Sequence, residues 1–296
     1  MLARYLLILA LWLWPIAAQA AETVVKHFDF AYSSALRPYL YEVLELVLEL
    51  TEEEFGPYRI DTSQENLSAA RAKLETEKGE ILNVLFASGW DGQLVDSDRV
   101  AGYRFGAFND LLGLRSLLVL PENKIVTTPP ANRADFLRYT AGLGYFWEDV
   151  GVLRGAGITV VEAHTYDALF PMLQKKRFDY LPLSVLEAEP ALRSKERQFG
   201  RIMPQPDIAL FYPMDFQLYV NKNTPALAER IGKGLEKAAG EPLQRVFEKH
   251  FSSVIPTGQT KKQLYIIDNH SISETLNKAA IERFLSRYGE HFEVIE

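Results

Sequence analysis

The chain has 296 residues, 48% of them hydrophobic and 24% charged, with a formal net charge of −7 and no cysteine. This mild acidity, without a stripe of Lys and Arg, argues against a phosphate backbone as partner, because such binding rests on clustered cations. Lacking cysteine, the chain has no disulfides and no lipid-modified N-terminal Cys, so stability must come from burial; the length suffices for one or two cores.

In chain order, Arg4 precedes an apolar run from Tyr5 to Ala18, and Ala18-Gln19-Ala20 places small residues where a signal peptidase cuts. The run is short of the ~20 apolar residues of a spanning helix, and Pro15 interrupts it. Residues 1–20 therefore read as a signal peptide cleaved after Ala20, which puts the mature chain in the periplasm. No later stretch has the roughly 18 uninterrupted apolar residues of a membrane span.

Val24 to Phe30 reads as a first strand. Ser33 or Ser34 can cap the next helix, whose apolar face is Leu36, Leu40, Val43, Val47 and Leu50. Gly56-Pro57 ends it, Tyr58 to Asp61 is a short strand, and Leu67, Ala70 and Leu74 mark a helix closed by Gly79. Ile81 to Phe86 reads as a buried strand that exits through the polar loop Ala87-Ser88-Gly89-Trp90-Asp91-Gly92. Open α/β sheets place their ligands at such carboxyl ends.

After an apolar crossing from Leu111 to Leu120, Arg138 to Ala141 reads as a strand and Gly142-Leu143-Gly144 as a tight turn. A helix from Trp147 to Arg154 ends at Gly155. Strand Ile158–Val161, helix Tyr166–Lys175 and strand Phe178–Leu183 follow, with Ser184 as a cap for a further helix. This alternation implies α/β lobes with largely parallel sheets. A loop rich in charge and proline, Glu187 to Asp207, leads to Ile208–Phe211 and the strand Phe216–Val220. Asn223-Thr224-Pro225 opens a helix, and Pro242 to Phe251 forms another. The tail from Gly258 holds a strand, Leu264–Ile267, and a helix, Ser273–Arg287, to which the sequence assigns no role.

Six segments stand out together. They are Gly56-Pro57-Tyr58-Arg59-Ile60, Leu111-Leu112-Gly113-Leu114-Arg115, and Gly142-Leu143-Gly144-Tyr145-Phe146-Trp147-Glu148-Asp149 leading to Val152-Leu153-Arg154. Tyr166-Asp167-Ala168-Leu169-Phe170-Pro171-Met172-Leu173, Arg177-Phe178-Asp179-Tyr180 and Thr224-Pro225-Ala226-Leu227-Ala228 complete the set. In order and spacing they resemble the periplasmic solute-binding proteins of the amino-acid-binding type (family 3, type II), as a divergent branch. The resemblance implies an α/β, two-lobed type II fold with a hinge and a central ligand cleft. Lobe 1 would span 21–113, lobe 2 would span 114–215, and 216–296 would return to lobe 1 with a C-terminal extension. It also implies a monomer, without cofactor, metal or catalysis, that captures a small polar or zwitterionic molecule, amino-acid-like or a small organic acid. That molecule would pass to an inner-membrane ABC permease or a membrane sensor. The alternatives are a dehydratase- or lyase-like periplasmic enzyme on the same fold and an interaction protein whose cleft holds no ligand.

Two departures weigh against an α-amino acid. Where such binders show Thr-x-x-Arg, this chain has Asp96-Ser97-Asp98-Arg99, and where they show a short Gly-Ser/Thr turn it has Gly142-Leu143-Gly144-Tyr145. Gly142 and Gly144 serve either an anion at the following helix start or turn geometry alone. Trp90, Tyr145 and Trp147 read as an aromatic wall or as lobe packing. Tyr32 joins the ligand-binding candidates. Arg99, Arg104 and Arg115 are candidates for bidentate pairing with a carboxylate or phosphate, against surface or hinge ion pairs. Asp179 matches a family aspartate that faces either an ammonium group or the hinge. The five histidines are scattered, without metal-ligand spacing.

Overall fold

The computed structural model describes residues 22–28, 35–63, 67–88, 97–145, 147–214, 216–257 and 260–295. The expected signal peptide and its cleavage point, the caps Ser33 and Ser34, and the candidates Tyr32 and Trp90 lie outside the described residues.

The chain begins with β1 (Thr23–Phe28), α1 (Leu36–Glu49), α2 (Glu52–Phe55), β2 (Tyr58–Ser63), α3 (Ala69–Lys78), β3 (Val84–Ser88) and β4 (Val100–Arg104). After a turn at Leu111–Gly113 come β5 (Leu114–Val119), α4 (Lys124–Thr127), α5 (Arg133–Phe136), β6 (Ala141–Gly144), α6 (Glu148–Gly155) and β7 (Val160–Ala163). Next are α7 (Tyr166–Gln174), β8 (Leu181–Ser184), α8 (Val185–Phe199) and β9 (Met203–Phe211). The last part holds β10 (Phe216–Asn221), α9 (Pro225–Ala238), α10 (Glu241–Phe251), β11 (Lys262–Ile266), α11 (Glu274–Tyr288) and β12 (Phe292–Ile295).

These strands build two five-stranded sheets, in the orders β2-β1-β3-β10-β4 and β12-β11-β9-β5-β8, with a separate β6-β7 pair. In the first sheet β1 runs parallel to β2 and β3, whereas β10 is antiparallel to both of its neighbours. α1 covers that sheet because Leu36, Leu40, Val43 and Val47 recur on one face and are all buried.

Two expected elements are corrected. Gly142-Leu143-Gly144 is not a turn: it lies in β6, paired in parallel with β7, and no residue in it has positive φ. The glycines are there for close packing, since a Cβ on Gly142 would sit 2.2 Å from the Phe178 ring. The charged, proline-containing stretch from Glu187 is not a loop either, but α8 followed by the start of β9. Leu186, Ala188, Ala191 and Phe199 give α8 a buried face, and Ser184 caps it by accepting from Leu186 N at 3.3 Å. Pro204 and Pro206 precede Ile208, the first residue of β9 paired with β11, and Pro206 falls in the irregular stretch of the pairing with β5, between Pro204 and Ala209.

The chain passes between the two sheets three times: from β4 to β5, from β9 to β10, and from α10 to β11. The first two passages touch. Tyr212 N donates to Gly113 O at 3.3 Å, and a Cβ on Gly113 would lie 2.2 Å from Tyr212 O. The third carries the tail, which extends the second sheet: β11 pairs with β9, and β12 with β11, both in parallel. Phe284 of α11 stacks on Phe211 of β9 with ring centroids 3.9 Å apart. It belongs to the same buried cluster as Val25, Val84 and Val220 of the first sheet. Burying a phenylalanine contributes about 1.5–3 kcal/mol, so the tail is a substantial part of this shared interior.

Candidate functional site

The cleft chemistry begins on β5. Arg115 is only 5% exposed, and Asp149, the second residue of α6, meets it with Arg115 Nη2 2.7 Å from Asp149 Oδ1. Tyr212 donates its hydroxyl to the same oxygen at 2.5 Å, and its ring centroid lies 4.6 Å from the guanidinium carbon. Burial alone lowers the Arg115 pKa, but Asp149, Tyr212, Glu187 and Glu148 outweigh it, and the net shift is upward. Burial drives the Tyr212 hydroxyl well above its ordinary value. Both groups are thereby fixed, the arginine charged and the phenol protonated. Such a pair is costly to desolvate and is held by its geometry.

Glu148 begins α6, where a carboxylate is favoured by the helix dipole. It reaches across the cleft. Ser271, from the tail, donates to Glu148 Oε1 at 3.0 Å, and Ser88, at the end of β3 in the first sheet, also hydrogen-bonds the carboxylate. Oε2 is buried with no partner among the described residues. Burial raises the Glu148 pKa; the bonds from Ser88 and Ser271 oppose the rise, Asp149 adds to it, and Lys73 opposes it.

Leu36, Ser88 and Phe216 on the first-sheet side and Arg115, Trp147 and Glu148 on the other enclose a cavity of about 40 Å³. Glu187, 7% exposed, also lines it. Trp147 is held there by Gly144: a Cβ on that glycine would lie 2.4 Å from the indole. A larger hollow of about 410 Å³ lies beside the hinge, with Arg104, Phe108 and Asp110 on one side and Arg283 of α11 on the other.

The sequence candidates therefore separate. Trp147 and Arg115 line the interlobe cavity. Arg99 is exposed on a short turn before β4, and Arg104 lines the outer hollow rather than the cavity. Gly142 is buried under Phe178, so its strand position corrects the expected helix-start anion site; Gly142 N donates to Tyr180 O at 2.9 Å. Tyr145 is 47% exposed and meets the His164 ring edge-on, at 5.4 Å. The Asp179 carboxylate accepts from Thr140 N at 2.8 Å and from Asn123 Nδ2 at 3.4 Å, which ties it to neighbouring loops. Glu148, Asp149, Tyr212 and Ser271 are candidate positions at this site that the sequence did not single out. The available signal was a pair of acids directly after a strand and an aromatic residue. Among the described residues no group of three or more His, Asp or Glu could hold a metal ion, and no helix is long and apolar enough to cross a membrane.

Two α/β lobes joined by paired crossings, with a small cavity between them, define the two-lobed type II periplasmic-binding-protein fold, here in a divergent form. No protein-family model matches the sequence, and no curated protein matches it. Solved structures show the likeness. An ancestral arginine-binding protein bound to arginine is 12% identical with a TM-score of 0.56, over 78% of this chain and 99% of that one. A double mutant of the BvgS VFT2 domain of Bordetella pertussis is 13% identical with a TM-score of 0.53, over 77% and 92%. A histidine kinase sensor domain with similarity to periplasmic binding proteins is 15% identical with a TM-score of 0.50, over 80% and 97%.

Proposed function

We propose that the chain is an extracytoplasmic solute-binding protein that captures a small polar or zwitterionic molecule between its lobes, for an ABC-type importer or a membrane sensor. The observation that carries this reading is the interlobe cavity, whose walls come from both sheets and whose polar groups, Arg115 and Glu148, are held by Asp149 and by Ser88 and Ser271. Its neighbours by fold include an arginine-binding protein and a histidine kinase sensor domain, which supports capture of a solute for either use. Export rests on residues 1–20, whose charged start, apolar run and Ala-Gln-Ala end read as a cleaved signal. A non-catalytic role fits a cleft whose arginine is already paired with an aspartate.

The test is a thermal-shift screen of amino acids, amines, small organic acids and oligopeptides, alongside mass spectrometry of whatever co-purifies. A ligand at a hundredfold excess over Kd adds about 2.7 kcal/mol of stability and is recovered unchanged. Turnover of the hit would instead make the protein an enzyme, with Glu148 as its cleft acid. A screen with no hit in any class, and nothing co-purified, would leave an interaction protein.

A further inference from the structure

A two-lobed binder opens by turning a few torsions in its crossings, so whatever grips the crossings sets how far the lobes can swing. Here the tail grips both. In the first crossing Asn109 and Asp110 are consecutive left-handed residues, with φ of 50° and 63°, in a region too small to leave a non-glycine residue much rotation. Their side chains are tied down as well. Asn109 Nδ2 donates to Gln244 Oε1 of α10 at 3.0 Å, and Arg287 of α11 donates to Asn109 Oδ1 at 3.3 Å. Arg283 of α11 donates to Asp110 Oδ1 at 3.0 Å, and Arg287 lies 3.8 Å from Asp110 Oδ2. Through Asn109, α11 is linked to α10, which packs on α1.

In the second crossing Asn269, 1% exposed, donates from Nδ2 to Pro213 O at 2.8 Å, beside a ring that already fixes φ. Asn269 is itself held by α11, since its backbone N–H donates to Asn277 Oδ1 at 2.8 Å. The tail is in turn fixed to the second sheet, by β11 on β9 and by Phe284 on Phe211. Its Ser271 meets Glu148, whose carboxylate also bonds Ser88 of the first sheet. The connection from α10 to β11 does not itself restrain the lobes. Its ten residues, 252–261, reach roughly 33–36 Å when extended, which leaves slack. The restraint lies in the side chains that hold both crossings to α11 and the turn before it.

We propose that the tail is a brace that keeps the two lobes at one angle. Solute then enters and leaves without a swing of the lobes, and a partner meets the same interlobe surface with or without solute. The chain has no cysteine, so thiols introduced as Glu53→Cys on α2 and Gln174→Cys at the end of α7, both exposed, are the only points for spin labels. Pulsed electron spin resonance on the full chain, refolded from urea to free it of solute, should give one separation within about 2 Å of that in the structure. A longer separation, alone or as a second population, would overturn the brace. Two variants test the tail as its cause. Ser271→Ala/Arg283→Ala/Arg287→Ala removes polar links from exposed positions and should keep the fold, while Phe284→Ala frees α11 from Phe211. Each should add a longer separation. Labels unmoved in both variants would overturn the role of the tail; should Phe284→Ala not fold, the triple variant decides alone. Solute capture stands or falls separately, on the thermal-shift screen.

Discussion

His27 gives the clearest quantitative expectation. It sits in β1, 3% exposed, opposite Thr62 of β2 and Val84 of β3, with its ring edge-on to Phe86 at 5.9 Å. Its Nδ1 has no partner among the described residues. Burial lowers its pKa from 6.5 to about 4. The unfolded chain therefore takes up the proton first. Stability from the neutral imidazole is fully present above the unfolded value near 6.5 and is lost as pH falls toward 4. At about 1.4 kcal/mol per pH unit, the loss amounts to about 3 kcal/mol, a large share of the 5–15 kcal/mol that holds a typical domain. Urea unfolding of wild type and His27→Gln at pH 7, 6, 5 and 4 measures it, because carboxylate titrations common to both proteins cancel in the difference. Wild type should lose about 3 kcal/mol more than the variant across that range. Parallel stability curves would refute the reasoning and mean that His27 is solvated in the native state.

Asp149→Asn strands the buried Arg115 charge and should cost about 3–5 kcal/mol in urea unfolding, most of it recovered when Arg115→Met is added; a single-variant cost under about 1 kcal/mol would mean the pair is solvated. Gly144→Ala drives a methyl into the Trp147 indole, which lies 2.4 Å from the Cβ position. It should cost about 1–3 kcal/mol and shift tryptophan emission to the red as Trp147 leaves the cavity, and unchanged emission would place the strain elsewhere.

Much of the architecture was legible because it follows from periodicity and punctuation. The apolar stripe of α1 and the Gly79 end of α3 are local signals, each where the pattern put it, and the helix read as Ser273–Arg287 is α11, with Ser273 as its cap. What was not legible depends on distant partners. Gly142 and Gly144 look like turn residues until Phe178 and Trp147 are found packed against them. Pro190 and the charges around it look like a loop, yet the buried face of α8 carries the helix through. At the site, Trp147 and Arg115 could be singled out by residue type. Glu148 and Asp149 could not, because two acids at a helix start are ordinarily solvated. Here Asp149 is buried against Arg115 from β5 and Tyr212 from a crossing segment, and the half-buried Glu148 is held by Ser271 from the tail. The role of the tail itself had no local signal, since strand pairing with β9 is a long-range event.

The interior that runs from Val25 through Phe211 to Phe284 has a thermodynamic consequence. Lobes with separate cores can melt one after the other, and a ligand then steadies mainly the lobe it grips. Here, beside clusters that belong to one lobe alone, Ala209, Phe211 and Phe284 of the second half share a cluster with Val25, Val84 and Val220 of the first, so unfolding either half breaks packing that the other uses. Heat and denaturant should meet a single cooperative unit, and amide exchange in β1 and β9 should report the same global opening. A change made in either half is felt by the whole chain, and removing the tail would uncover both sheets at once.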